Sequence, residues 1–326
     1  MFETMIALRP SRRTAALAAS LFAAVLVALP VGAQDYPAKP VQIVVPLGPG
    51  TGVDLMARAF AQVGEQKFGQ RLLVVNREGG GFTIAMAAVA AAPADGYTIA
   101  FTPHTPVTIQ VLRMKNLSYK HDSFAPLCQT YDLMFFVATG PNSPYKDIRS
   151  VIEHAKANPG KLKYGTAGVG TVMHLVGAEL WQRAGVQITD IPYKGEAHFA
   201  PNLLAGEIDL AVVTTSLVSS QKLRPLVVFS EKRLPNLPNL PTADELGFPV
   251  RTSGFGGVFV RAETPAPIVA KLESACRDTV ADPSYRQVAE RQFLVSTYLG
   301  RSAFAARVEA EYESKTKLLR SLNLPD

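Results

Sequence analysis

The chain has 326 residues, 48% of them hydrophobic and 18% charged, with a mean hydropathy of +0.12. That is too apolar for a disordered chain and ample for one or two packed cores. The formal net charge of +6 is interspersed, with no run of five basic residues, so the pI of about 9.3 does not point to a nucleic-acid partner.

Residues 1–33 read as a secretory signal peptide. Arg9, Arg12 and Arg13 form a positive start, 14–29 is an apolar run broken by Pro30, and Val31-Gly32-Ala33 is a small-residue cleavage site. The alternative, an N-terminal membrane helix, suits the short run less well. No Cys follows the site, which argues against a lipid anchor. The expectation is a soluble, exported, periplasmic chain cleaved after about Ala33, long enough for about two domains.

After the leader, strand-like and helix-like segments alternate. Strands are expected at 41–45, 72–75 and 97–101, with helices at 54–68 and 84–92 between them, a βαβαβ order that reads as a parallel sheet. The pattern recurs: strands at 133–138, 188–191, 208–213, 223–229 and 255–260, and helices at 148–157 and 172–184. Pro235, Pro238, Pro241 and Pro249 punctuate a linker-like stretch, and helices at 267–280 and 302–322 close the chain. A two-lobe clamshell fits this order; a single doubly wound domain with an appendage is the plainer alternative.

The chemistry-bearing motifs of common enzymes are missing: there is no CxxC, HExxH, GxSxG or GxxxxGK, and the five histidines do not pair at metal-ligand spacing. Neither metal nor cofactor is expected. An exported hydrolase built on His174 with Thr171 or Asp190 is a rival with no motif behind it. The two cysteines, Cys128 and Cys276, are expected as buried thiols, although export permits a disulfide.

Two glycine-rich loops stand out, each between a strand and a helix. The first is Pro46-Leu47-Gly48-Pro49-Gly50-Thr51-Gly52-Val53-Asp54, the second Gly165-Thr166-Ala167-Gly168-Val169-Gly170-Thr171 followed by His174. Glycine lets the backbone approach a ligand closely, and the first N–H groups of a helix lack intrahelical partners, which makes an anion site. Leu55 breaks the GxGxxG pattern, so a dinucleotide is poorly supported. Either loop could equally be a tight turn without a ligand. Asp54 would repel an anion, and is read as a cap that holds its loop rigid. Tyr193 and Lys194 could line the same mouth, Lys194 being equally readable as a solvated surface residue. His104 and Thr105 follow the third strand at its C-terminal end, where open α/β sheets hold ligands.

These segments resemble the solute-binding proteins of tripartite tricarboxylate transporters, the Bug family. The resemblance rests on Tyr36-Pro37-Ala38-Lys39-Pro40, Asp54-Leu55-Met56-Ala57-Arg58, Val75-Asn76-Arg77, Asp95-Gly96-Tyr97-Thr98, Pro159-Gly160-Lys161-Leu162-Lys163-Tyr164-Gly165, Gly168-Val169-Gly170-Thr171, Pro192-Tyr193-Lys194-Gly195 and Leu203-Leu204-Ala205-Gly206-Glu207-Ile208-Asp209-Leu210, in the family's order. It implies a type II periplasmic-binding-protein fold, a Venus flytrap of two α/β lobes and a hinge, with lobe 1 at 34–130 plus 251–326 and lobe 2 at 131–250. It also implies a monomer that captures a small mono-, di- or tricarboxylate, possibly aromatic, for the membrane permease subunits of a tripartite transporter, or a sensor with a signalling partner. Ligand contacts then fall on Leu47, Gly48, Pro49, Gly50, Thr51, Gly52, Asp54, His104, Thr105, Thr166, Ala167, Gly168, Gly170, Thr171, His174, Tyr193 and Thr214. Two departures matter. The first loop lacks the family's Pro-Gly-Gly with Phe, and Val213-Thr214 stands where many members place Asp-Asn. The loss of that acid argues against a ligand ammonium.

Overall fold

A computed structural model describes residues 36–234, 237–292 and 294–322. The expected signal peptide at 1–33 lies outside the described residues. Among these, no helix is long and apolar enough to cross a membrane.

The first half runs β1 (Val41–Val45), α1 (Gly52–Phe68), β2 (Leu72–Asn76), α2 (Thr83–Ala91) and β3 (Thr98–Pro103), followed by the single-turn helices α3 (Thr105–Thr108) and α4 (Gln110–Arg113). A long strand, β4 (Phe124–Thr139), leads to α5 (Ile148–Ala157), β5 (Lys163–Thr166), α6 (Val172–Ala184), β6 (Thr189–Pro192), α7 (Glu196–Ala205), β7 (Leu210–Thr214), α8 (Thr215–Ser220) and β8 (Arg224–Val228). The chain then returns through β9 (Ser253–Arg261), α9 (Ala266–Ala281), α10 (Pro283–Arg291), β10 (Val295–Leu299) and α11 (Arg301–Leu322).

The strands form one mixed sheet in the order β2-β1-β3-β9-β4-β7-β5-β6, with β8 and β10 also on β4. β1 pairs in parallel with β2 and β3, and β5 with β6 and β7. β4 connects the two parallel groups. Its residues 124–134 pair with β9, while 135–139 pair with β7 and β8. The register shifts at Pro126 and again between Gln129 and Tyr131, as expected where a proline removes a ladder donor and a strand must bend.

Each parallel group has its own core. In the first, Phe60 packs against Phe101 at 5.7 Å, Phe101 stacks on Tyr131 at 5.6 Å, and Tyr285 from α10 closes onto Phe60 at 6.2 Å. In the second, Tyr164 meets Trp181 edge-on at 5.9 Å. These rings are buried, and each such side chain contributes about 2–3 kcal/mol of burial.

The structure extends the sequence reading. The strand expected at 133–138 begins nine residues earlier, at Phe124. The helix α7, which carries Pro201 inside it, and the pair α10 and β10 were not expected at all. The cysteines correct it. Cys128 on β4 and Cys276 on α9 form a disulfide across 148 residues of sequence, with Cα atoms 6.6 Å apart. Both sites are fully buried, which the apolar-thiol reading shared; what it missed is that α9 packs directly on β4.

Candidate functional site

The two glycine loops are built alike, residue for residue. In the first, Thr51 caps α1: its hydroxyl accepts from the Asp54 N–H and donates to the Gly48 carbonyl at 2.9 Å. In the second, Thr171 caps α6: its hydroxyl accepts from the His174 N–H and donates to the Gly168 carbonyl at 2.8 Å. Gly50 (φ +83°) and Gly170 (φ +77°) occupy the left-handed region that such a turn requires. Each of these glycines donates its N–H to the side chain four residues on: Gly50 to Asp54 Oδ2 at 2.8 Å, Gly170 to His174 Nδ1 at 3.1 Å.

Asp54 is completely buried and fully occupied. Besides Gly50, it accepts from Asn76 Nδ2 at 2.8 Å and from Arg58 Nε at 2.9 Å. Asn76 also donates to the Leu47 carbonyl at 2.7 Å, so β2 clamps both ends of the loop. His174 carries no such network. Burial, with the Arg113 charge adding to it, pushes its ring down to about 4, so it is neutral near pH 7. Its Nε2 lies 3.9 Å from Asp190 Oδ2. Asp190 accepts from Thr166 Oγ1 at 2.9 Å, while burial raises it to about 6. The hydrolase reading finds no support in this geometry. The Thr171 hydroxyl is donated to a carbonyl, and the His174 acceptor nitrogen is taken by an amide.

The two loops converge on one cavity of about 40 Å³. It is lined by the first turns of α1 (Gly52, Val53) and α6 (Val172, Met173), whose N–H groups have no intrahelical acceptor. Leu47, Thr51, Ala167, Thr171, His104, Thr105 and Thr214 also line it. Phe82, Leu133, Phe135 and Phe255 supply apolar walls, and no Lys or Arg is among the lining residues. Pro49 and Gly50 line an adjoining outer pocket of about 290 Å³, which shares Thr51, Gly52, Glu196 and Ser216 with the inner cavity.

Seven expected contact residues line neither space: Gly48, Asp54, Thr166, Gly168, Gly170, His174 and Tyr193. Their atoms brace the loops. The Tyr193 ring packs edge-on against Phe199 at 5.8 Å, and its hydroxyl accepts from Asn202 at 2.9 Å. Lys194 is exposed. His104 stacks on Phe255 at 4.2 Å with Nδ1 on the Thr108 hydroxyl at 2.9 Å, and burial lowers it to about 4. It forms a wall of the cavity as a neutral ring.

Glu196 is the residue that sequence reasoning missed. It opens α7, is 5% exposed, and lines both spaces. The Thr214 N–H donates to Oε1 at 2.6 Å and the Thr214 hydroxyl to Oε2 at 2.8 Å. This overturns the inference that the pocket has lost its acid. An acidic group is present, delivered by α7 rather than by the end of β7. Burial raises it to about 7 against the pull of the two Thr214 bonds.

The halves also touch across the loops. Gln110 Nε2 and Arg113 Nη1 on α4 donate to the Val169 carbonyl at 3.0 and 3.2 Å, and a side chain at Gly52 would meet Ser216 Oγ at 2.7 Å. Each loop is thus packed against an element of the other half.

Comparison with known proteins places this geometry. The family model described as "Tripartite tricarboxylate transporter family receptor" matches residues 56–324. A UPF0065 protein of Cupriavidus necator is 32% identical over 318 residues, covering 94% of each chain. Protein BugT of Bordetella pertussis is 34% identical over 230 residues, 68% of this chain and 70% of that one. Among solved structures, the periplasmic binding protein BugD superposes with a TM-score of 0.82 at 30% identity, covering 88% of this chain and 98% of BugD. R. palustris Rpa4515 with adipate superposes at 0.83 with 27% identity, over 88% and 98%. The fold is that of the periplasmic binding proteins, and the chain belongs to the tripartite tricarboxylate transporter receptor family, whose members are solute receptors rather than enzymes.

Proposed function

We propose that this chain is a periplasmic receptor that captures a small organic carboxylate between two lobes, 34–130 plus 251–326 and 131–250, and presents it to the permease of a tripartite transporter. The observation that carries the reading is the convergence of two helix first turns on one cavity with no Lys or Arg in its lining. Backbone N–H groups and helix dipoles attract an anion there without a Lys or Arg. Rpa4515 is solved with adipate, which is the chemistry expected of such a site.

Closure supplies the affinity. An anion that bridges both loops binds the closed arrangement better than the open one and shifts the population toward it. A hydrogen bond to a charged group contributes roughly 1.5–3 kcal/mol. Four or five of them, less ordering and closure costs, reach the roughly −8 kcal/mol of a micromolar complex.

The test is mass spectrometry of small acids released from natively purified protein, followed by calorimetry and thermal shift with a carboxylate panel. A co-purifying acid that raises Tm is the expected result. A panel of mono-, di- and tricarboxylates that is silent throughout overturns the proposal.

A further inference from the structure

A carboxylate receptor that buries a second carboxylate in its own cavity poses a physical problem, and its solution constrains the ligand. Glu196 faces both the inner cavity and the outer pocket. Its hydrogen bonding is directional. Thr214 gives its N–H to one oxygen and its O–H to the other, so the Ser216 hydroxyl, 2.8 Å from Thr214 Oγ1, must be the donor in that second pair. The relay Ser216 to Thr214 to Glu196 therefore feeds donors toward the carboxylate. Glu196 also sits in the first turn of α7, where the helix dipole favours negative charge. Three features of the scaffold are thus arranged around Glu196 as an acceptor.

Two donors do not satisfy a carboxylate, whose oxygens offer about four lone-pair sites. Neither space supplies another charge to meet it: Lys and Arg are missing from both linings. A plain acid closing the cleft would leave Glu196 desolvated and under-bonded, which is costly. A dicarboxylate would add a further negative group to the same space with no cation to balance it.

Resting on the carboxylate reading above, we infer that Glu196 is a specificity-determining residue that selects monocarboxylates carrying their own hydrogen-bond donor, a hydroxyl or an ammonium, beside the acid group. The glycine loops take the ligand's carboxylate, Glu196 takes its donor, and the apolar walls of Leu47, Phe82, Phe135 and Phe255 take its carbon body.

The experiment is calorimetry on matched triplets: butyrate, 2-hydroxybutyrate and 2-aminobutyrate; 4-methylpentanoate, its 2-hydroxy acid and leucine; 3-phenylpropionate, 3-phenyllactate and phenylalanine; with adipate as the dicarboxylate. In the unmodified protein a donor-bearing member should bind at least about tenfold tighter than its parent, because a site built for a donor rejects the analogue that lacks it. Glu196→Gln keeps an acceptor for the Thr214 N–H and removes the charge. It should abolish an ammonium preference and leave a reduced hydroxyl preference, which separates the two donor chemistries. Glu196→Leu, with its fold checked by circular dichroism, should erase either preference. Parent acids binding as tightly as their donor-bearing partners, binding confined to adipate, or a preference unchanged in Glu196→Gln each overturns the role of Glu196 and leaves the carboxylate receptor standing. Silence from every acid overturns both.

Discussion

The two glycine loops solve one problem with different chemistry. Both read Gly-x-Gly-Thr and place an acceptor three residues after the Thr: Asp54 in the first loop, His174 in the second. Both acceptors hold the N–H of a left-handed glycine. A buried carboxylate must be matched, and Arg58 on α1 and Asn76 on β2 match it. A buried imidazole is simply neutral, and the second loop does without a salt bridge at that nitrogen. The outcome is the same, a turn whose acceptor is satisfied internally while its helix N–H groups face the cavity. The first loop is thereby tied to β2 through a charged network, and the second is sensitive to acid.

The largest effect expected from this comparison is on ligand binding. Gly168→Val forces a side chain into φ +113°, with its Cβ 3.3 Å from the Tyr193 carbonyl and 3.8 Å from Gly81 Cα. Gly50→Val meets φ +83° but open space. Gly168→Val should abolish detectable binding and Gly50→Val should weaken it by at least about tenfold, because both strain the backbone and only one also crowds its neighbours. Calorimetry beside a circular dichroism spectrum of each variant checks this; unchanged affinity in either variant would remove its loop from the binding site.

The next effect is on stability. Asp54→Ala removes charge-assisted bonds to Gly50, Arg58 and Asn76 together and should cost about 3 kcal/mol. His174→Ala removes one neutral bond and some packing and should cost about 2 kcal/mol. Urea unfolding of the two variants decides it, and a His174 loss larger than that of Asp54 would reverse the assignment of the tighter clamp.

The smallest and most diagnostic effect is on pH dependence. His174 titrates near 4 in the folded chain against 6.5 when free, so its stabilisation is complete above about 6.5 and is lost as pH falls through 4. His104, equally lowered, acts in the same direction. Glu196 and Asp190 act oppositely: their folded values, about 7 and about 6, lie above the unfolded ones, so their contribution is present in acid and lost as pH rises through those values. His174→Gln should flatten the loss of stability between pH 6.5 and 4, and Glu196→Gln should flatten the loss between 4.5 and 7. Thermal melts across that range read both. Unaltered acid-limb steepness in His174→Gln would show that the second loop does not own it.

Much of this site is legible in the chain because its bonds are local. Thr51 to Gly48, Thr171 to Gly168, and each glycine to the side chain four residues on are contacts within a single turn. The reading of each loop as a glycine turn that opens a helix, and of Asp54 as the group that holds the first one rigid, follows from sterics and capping alone. The helix α6 and its boundaries follow from the same local rules. Glu196 was missed for the opposite reason. It follows Pro192-Tyr193-Lys194-Gly195, a stretch read as able to line the mouth, but no helix was expected after it, and the helix that begins there turns its side chain inward.

What the sequence determined by itself was therefore the pair of turns, since torsional freedom and helix caps are decided within four or five residues. What the tertiary structure decided was the company they keep. Glu196 meets Thr214 across 18 residues, Cys128 meets Cys276 across 148, and Gln110 meets Val169 across 59. Those meetings depend on strand order, on β4 serving both parallel groups and on α9 lying over it. Strand order arises from competition among many distant pairings, and no short stretch of residues encodes its outcome.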